Sequence, residues 1–365
     1  MKKGLFLGIG LFLITLLLSP SAYAEIKISD SFSLYGDGRG RFELDDRKTT
    51  SATQERDRFR YRLRVGFKYA ANEYVELGAR LGTGDTLDAN SPHVVFGSDR
   101  NNDKHSNSSA PYALTPDWFT INKAYIKGKY AGGFAWIGKE SMPFWKQNEY
   151  FWDDDINPEG IAAGYTVKNL GPLSITLHGG YFMLDEGGWF TSGKGDPDDD
   201  MTTYQIVASG GFSPADFTLA YGVLNTTDGA SARSQGATTT TNNSYTDSSI
   251  EVKIKAIPGV GLNVGYDYYN SDAKTKSSGS VITVGASYGN LFAKFYSIDI
   301  DTNAVTAFAQ DDWANYYNDM SGYEINLGYK FTKNINADIK RFAASKKSNT
   351  SIYENRTQIN LNVSF

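Results

Sequence analysis

The segment Gln358-Ile359-Asn360-Leu361-Asn362-Val363-Ser364-Phe365 alternates polar and apolar side chains without a break and ends on an aromatic ring. Successive side chains of an extended strand point to opposite faces, so Ile359, Leu361, Val363 and Phe365 share one face and Gln358, Asn360, Asn362 and Ser364 the other. A strand with one greasy and one wet face suits a wall between lipid and water. The last strand of a soluble domain usually trails into polar residues, because nothing beyond it needs covering.

The same period of two recurs far upstream, in Asp57-Arg58-Phe59-Arg60-Tyr61-Arg62-Leu63-Arg64-Val65-Gly66. Phe59, Tyr61, Leu63, Val65 and Phe67 fall on one side, Arg58, Arg60, Arg62 and Arg64 on the other. An arginine facing lipid at mid-bilayer costs about 2 to 4 kcal/mol, so the arginine row must face water. By the same parity Phe32, Leu34 and Phe42 point outward and turn Arg39 and Arg41 inward, while Val75, Leu77, Ala79 and Leu81 send Glu76 and Arg80 inward. Seven arginines are thereby expected on one sector of an aqueous interior, where mutual repulsion demands counter-charges or permeating anions.

Composition agrees with a wall of this kind. Mean hydropathy is −0.41, a soluble-looking value, yet aromatic residues make up 14% of the chain. A barrel reconciles the two, because half of each strand faces an aqueous lumen and averaging hides the other half. The chain has no cysteine, which excludes thiolate metal sites and cysteine catalysis and leaves a closed hydrogen-bonded sheet to do the work of disulfides. Lys2 and Lys3, the apolar run Gly4 to Leu18 and the small-x-small motif Ala22-Tyr23-Ala24 read as a secretory signal peptide over 1–24, cut before Glu25. The apolar run is shorter than the roughly 18 to 20 residues of a membrane-spanning helix. Residues 25–365 are then one barrel domain, since a sheet that must close on itself cannot be divided without exposing unpaired edges to hydrocarbon.

Turn chemistry sets the strand number. Short Gly, Pro, Asn or Asp connectors occur at Ala70 to Tyr74, Tyr130 to Gly133, Lys168 to Pro172, Ser213 to Asp216, Ala256 to Gly259, Tyr288 to Asn290 and Thr332 to Asn334. Longer polar stretches alternate with them: Asp45 to Glu55, Thr86 to Asp117, Ser141 to Asn157, Asp185 to Met201, Asn225 to Asp247, Ser271 to Ser278, Asp301 to Ser321 and Ser345 to Ser351. Seven turns alternating with eight loops require an all-β transmembrane antiparallel β-barrel of about 16 strands, each of about 10 to 12 residues.

The third long connector combines aromatics with acids. A solvated loop has no reason to hold Phe144, Trp145, Tyr150, Phe151 and Trp152, which would expose a large apolar patch. Folding into the lumen would bury them and bring Glu149, Asp153, Asp154, Asp155 and Glu159 opposite the arginine wall, across a constriction with a transverse field.

Taken together, the leader, the alternating strands, the arginines on early strands, the inward third loop and Phe365 resemble Gram-negative outer-membrane porins. Asp57 to Gly66, Leu81-Gly82-Thr83-Gly84-Asp85 and Trp152-Asp153-Asp154-Asp155-Ile156-Asn157-Pro158-Glu159-Gly160 are similar to the family labelled putative porins. The resemblance implies passive diffusion of small hydrophilic solutes and ions through an outer-membrane channel, assembly as a homotrimer, and recognition of the strand ending in Phe365 by the barrel-assembly machinery. Outer-membrane lipid and lipopolysaccharide are the surroundings it implies. The Pro-Glu-Phe-Gly-Gly motif of the general porins' third loop does not occur here.

Other chemistry finds little support. His93, His105 and His178 are scattered; the first two fall in one external loop, where solvation is the expectation. Asp196, Asp198, Asp199 and Asp200 lack calcium-loop spacing. His178 points by parity into the lumen among Ser174, Thr176 and Gly180, without the partners of a catalytic triad. Net charge is −5 and the arginines point inward, which argues against nucleic acid. The expectation is therefore a channel that is no enzyme and needs no cofactor or metal, with a mild anion preference. Two alternatives accompany it: a channel specific for acidic sugars, with Trp145, Tyr150, Phe151 and Trp152 stacking on the rings, and a non-transporting adhesive barrel.

Overall fold

The computed structural model describes residues 25–84, 92–96, 119–185, 199–226, 243–306 and 319–365. The expected signal peptide, His105, Asp196 and Asp198 lie outside them. Among the described residues the wall is built from sixteen antiparallel strands: β1 (Phe32–Lys48), β2 (Thr53–Ala70), β3 (Val75–Gly82), β4 (Thr120–Tyr130), β5 (Gly133–Lys139), β6 (Glu159–Leu170), β7 (Leu173–Asp185) and β8 (Asp199–Phe212), followed by β9 (Ala215–Thr226), β10 (Asn243–Ile254), β11 (Val260–Ser271), β12 (Ser278–Tyr288), β13 (Leu291–Ile300), β14 (Met320–Lys330), β15 (Ile335–Lys346) and β16 (Tyr353–Ser364). Each strand pairs with the next, and β16 pairs with β1 from Tyr353↔Lys48 to Ser364↔Asp37, which closes the cylinder. Closure removes the sheet edges, the one condition under which strands can cross hydrocarbon. Two-residue strands, Ile26–Lys27 and Val94–Val95, add to β1 and β2.

The expected parity holds. Leu63, Val65, Phe67 and Tyr69 of β2 are exposed on the outside, as are Ile359 of β16 and Ile161 of β6, while Arg60, Arg62, Arg356, Gln358 and Asn360 are buried on the inside. The short connectors fall where turn residues put them; Gly171 and Gly289 sit at φ 68° and 55° in two of them, a left-handed conformation that a Cβ disfavours.

The first long connector is a correction. Asp45 to Glu55 reads as a loop, but β1 runs to Lys48 and β2 begins at Thr53, leaving four residues for the turn. Cross-strand pairs sustain the ladder there: Arg56 donates to Asp45 and Arg47 to Gln54. A run of charged residues looks like a loop in sequence, yet alternating opposite charges on paired strands stabilise a sheet. The Phe365 ring lies over Gly36, 2.5 Å from the position of an added Cβ.

An apolar core lies inside the cylinder, at the end that carries the long connectors. Inner-face residues Phe182, Met201, Leu224, Val281, Ile298, Met320 and Phe342 pack in one cluster with Tyr150, Phe151 and Trp152 of the segment between β5 and β6. Each large side chain removed from water there contributes about 1.5 to 3 kcal/mol.

Candidate functional site: a charged sector and a packed connector

Strand register sets the electrostatics of β16, β1 and β2. Across β1 and β2 the inner rungs are Asp37↔Arg64, Arg39↔Arg62, Arg41↔Arg60, Glu43↔Arg58 and Asp45↔Arg56. Two arginine-on-arginine rungs, unfavourable alone, are bracketed by carboxylate rungs. Asp37 accepts from Arg62 at 2.9 Å and from Arg64 at 2.7 Å. Glu43, fully buried, accepts from Arg58 and from Arg60 at 3.3 Å. Asp45 accepts from Arg356 at 2.6 Å, and Arg356 also donates to Glu354 at 2.7 Å. Charges so deeply withdrawn from water persist only when paired in this way.

The polar face of the segment Gln358 to Ser364, on β16, does a different job. Arg39 donates to Asn362 at 2.6 Å and Arg41 to Asn360 at 2.8 Å. The two amides pass their own hydrogens to the two oxygens of Asp338 on β15, each at 2.8 Å. On the far side, Arg80 donates to Asn122 at 2.5 Å. Arg39 and Arg80 therefore hold amides rather than carboxylates among the described residues.

The segment 140–158 makes contacts around much of the wall. Trp145 exchanges two hydrogen bonds with the Gln205 side chain of β8, both 2.8 Å. Asn148 donates to Asp267 of β11 at 2.6 Å and accepts from Tyr269 at 2.9 Å. Tyr150 donates to Glu324 of β14 at 2.6 Å, and its ring meets Tyr296 edge-on. Phe151 packs on Tyr269. The backbone then turns at Asp153, whose carboxylate accepts from the Asp155 N–H at 2.8 Å. Asp155 receives Arg62 at 3.2 Å and Arg64 at 2.6 Å. Burial alone would raise the Asp155 carboxyl, but the two guanidiniums outweigh it and hold it at about 2. Burial and the neighbouring Asp154 push Glu149 up to about 7. Asp154 itself pairs with Lys146 at 2.6 Å.

Of the acids expected opposite the arginines, Asp155 meets them directly, through Arg62 and Arg64. Glu159 is a correction: it opens β6, pairs with Lys139 at 2.7 Å, and shares the outward face of Ile161 and Tyr165. The aromatic rings are another. Tyr150, Phe151 and Trp152 are only 4%, 4% and 2% exposed, so they are core rather than a stacking platform for sugars, and Trp145 is held by its backbone. His93 is a third, since it is not solvated: it is 7% exposed, Arg39 lies 3.5 Å from its Nε2, and Arg60 donates to its carbonyl at 3.4 Å.

Sequence reasoning missed Asp37, Glu43, Asp45, Glu354 and Arg356. For Asp37, Glu43, Glu354 and Arg356 the signal was present in the parity of their strands, whereas Asp45 fell in a segment that reads as a loop. Asp247 and Asp267 on β10 and β11, and Glu324 and Asp338 on β14 and β15, are buried carboxylates too.

A family model described as "Putative porin" matches residues 40–215. No curated protein matches the sequence. Among solved structures, Salmonella typhi OmpF in complex with daunomycin aligns over 93% of this chain and 100% of its own, with a TM-score of 0.54 and 15% identity. A mutant of the Rh. blastica porin aligns over 92% and 100%, with a TM-score of 0.51 and 17% identity. At such identities the likeness establishes the fold, a closed sixteen-strand barrel of the porin type. Family match and fold together support a porin family, and with it a channel-forming barrel of the outer-membrane type.

Proposed function

We propose that the barrel passes small hydrophilic solutes and ions by diffusion, with a preference for anions, and that segment 140–158 narrows the lumen as an inward-folded constriction loop. The carrying observation is the charge balance of the sector: Arg39 and Arg80 hydrogen-bond to Asn362 and Asn122, leaving two guanidinium charges that no carboxylate neutralises at contact distance among the described residues. Arg41, Arg58, Arg60, Arg62 and Arg64 complete the positive wall, and their carboxylates fix its shape. Asp155 is the acid of the loop that meets this wall; Glu149, Asp153 and Asp154 sit behind it. Fixed charges along a narrow low-dielectric passage raise the local concentration of the opposite ion and so set selectivity without chemistry. A cleaved leader, Phe365 as the mark read by the assembly machinery, lipopolysaccharide around the barrel and a homotrimeric state complete the proposal.

The test is reversal potential in a planar bilayer across a KCl gradient. Anion preference in the parent, reduced in Arg39→Ala and Arg80→Ala, supports the reading. A cation-selective potential unchanged by either substitution, or by Arg60→Ala with Arg62→Ala, overturns it. Liposome swelling that shows no solute entry would return the barrel to an adhesive role.

A further inference from the structure

We infer that the inner wall carries a built seat for the first half of the constriction loop, made of the Gln205 side chain and two gaps left by Gly222 and Gly265, and that this seat sets the width of the channel. The inference rests on the diffusion reading above. Gln205 is 3% exposed and bonds to both polar backbone groups of Trp145: its Oε1 accepts from the Trp145 N–H and its Nε2 donates to the Trp145 carbonyl, each at 2.8 Å. A side-chain amide that pairs reciprocally with a backbone N–H and C=O imitates a rung of sheet and holds the chain at one place on the wall. The same reciprocity fixes which amide atom is oxygen, and so defines the neighbouring histidine. His178 Nδ1 lies 3.3 Å from that oxygen and is the donor there. His178, Gln205 and Trp145 thus form one chain of hydrogen bonds from β7 to the loop.

The glycines make the room. Gly222 is the register partner of Gln205 on β9, and a Cβ added to it would lie 3.2 Å from the Phe144 ring. At Gly265 on β11 the fit is closer: an added Cβ would come 1.7 Å from Gln147 Oε1 and 2.6 Å from its Cδ. The Gln147 amide therefore rests on the bare backbone of β11 while its Nε2 donates to the Ile250 carbonyl at 3.3 Å. Glycine inside a strand weakens it unless a close approach requires the missing side chain, and here the loop supplies that approach. Gln205, Gly222 and Gly265 are positioning residues: they act on solutes only through the loop they hold.

The test uses the full chain folded into planar bilayers, with folding checked by the gel shift of the unheated barrel. Gln205→Ala is expected to raise single-channel conductance about twofold and increase open-channel noise, because the loop root is released. Gly265→Ala is expected to lower conductance by a similar factor, and Gln147→Ala in the same chain to restore it. A merely structural glycine would not be rescued by a change in the loop. The pair Gln147→Cys with Gly265→Cys, in a chain without other cysteines, is expected to close a disulfide in the folded protein, seen by mass spectrometry of the linked peptides. Conductance unaltered by Gln205→Ala, failure of the Gln147→Ala rescue, or an absent disulfide overturns the seat. If the parent barrel does not conduct, the diffusion reading fails while the disulfide still decides the seat.

Discussion

The lumen side of β16, β1 and β2 and that of β7 to β15 are both densely filled, but by opposite means. The first is held by guanidinium-carboxylate pairs: Glu43, Asp37 and Asp45 each serve two or more arginines. The second is held by apolar packing of Tyr150, Phe151 and Trp152 against Phe182, Leu224 and Phe342, with the neutral amides of Gln205 and Asn148 as tethers. The difference teaches where selectivity and where rigidity reside. In the ionic sector Arg39 and Arg80 hold amides rather than carboxylates, and on the proposed reading this is where selectivity arises. Mechanical support comes from the packed sector, whose contacts are apolar packing and hydrogen bonds from neutral donors rather than ion pairs. Between them the Asn360 and Asn362 amides link Arg41 and Arg39 to Asp338 without placing opposite charges in contact.

The comparison breaks first at Asp155, where the loop crosses from one region to the other. Replacing Arg62 and Arg64 together by Ala leaves Asp155 and Asp37 without their guanidiniums, and an uncompensated buried charge costs about 3 to 5 kcal/mol. Denaturant unfolding should record a loss of that order, accompanied by a reversal potential displaced toward cations; an unaltered midpoint would mean the ionic sector carries no structural load. Tyr150→Phe attacks the packed region. It removes the donor to Glu324 while keeping the ring, so a smaller loss of about 1 to 3 kcal/mol is expected. That loss should be the same in dilute and concentrated salt, and a marked salt dependence would erase the distinction between the regions.

Salt itself sharpens the contrast. Going from 0.1 to 1 M KCl shortens the screening length from about 10 to about 3 Å, so anion preference should fall while the Tyr150 contact is untouched. The smallest effect expected is a titration. Glu149, held up to about 7, is mainly neutral at pH 6 and ionised at pH 8, so anion preference should decline over that interval. Glu149→Gln should flatten it; a step that survives belongs to another group. Asp155 titrates in the opposite sense: its depressed value means the link to Arg62 and Arg64 is complete above the ordinary 3.8 and is lost as pH falls through about 2. Conductance recorded down that acid window should change only there.

Strand parity was fully legible, because bilayer and water impose opposite demands on alternate residues and leave no compromise along a strand such as Arg58 to Phe67. Turn positions were legible for the same local reason. The first external turn was not, since Asp45, Arg47, Gln54 and Arg56 look solvated in isolation and stabilise a ladder only when paired across it. The arginine sector was legible as a row but not as a network: Arg356 and Glu354 lie about three hundred residues from Asp45, and their juxtaposition comes from barrel closure. Tyr150, Phe151 and Trp152 of segment 140–158 are buried while Phe144 and Trp145 are only half-buried, and the role of the first three as core depends on Phe182, Leu224 and Phe342, apolar residues on mostly polar strand faces. His93 eluded the sequence because nothing local announces that Val94–Val95 will join β2.

Gly36 and Phe365 exchange both of their backbone hydrogen bonds, at 2.8 and 2.9 Å, with the terminal ring lying over the glycine. Phe365 thus adds a rung between β16 and β1, two strands separated by nearly the whole barrel sequence. Until they pair, β1 and β16 are raw edges, inviting pairing with any neighbouring polypeptide. Such a seam spans nearly the whole sequence, a contact of the kind that forms slowly, so closure of the cylinder is expected to come late in folding.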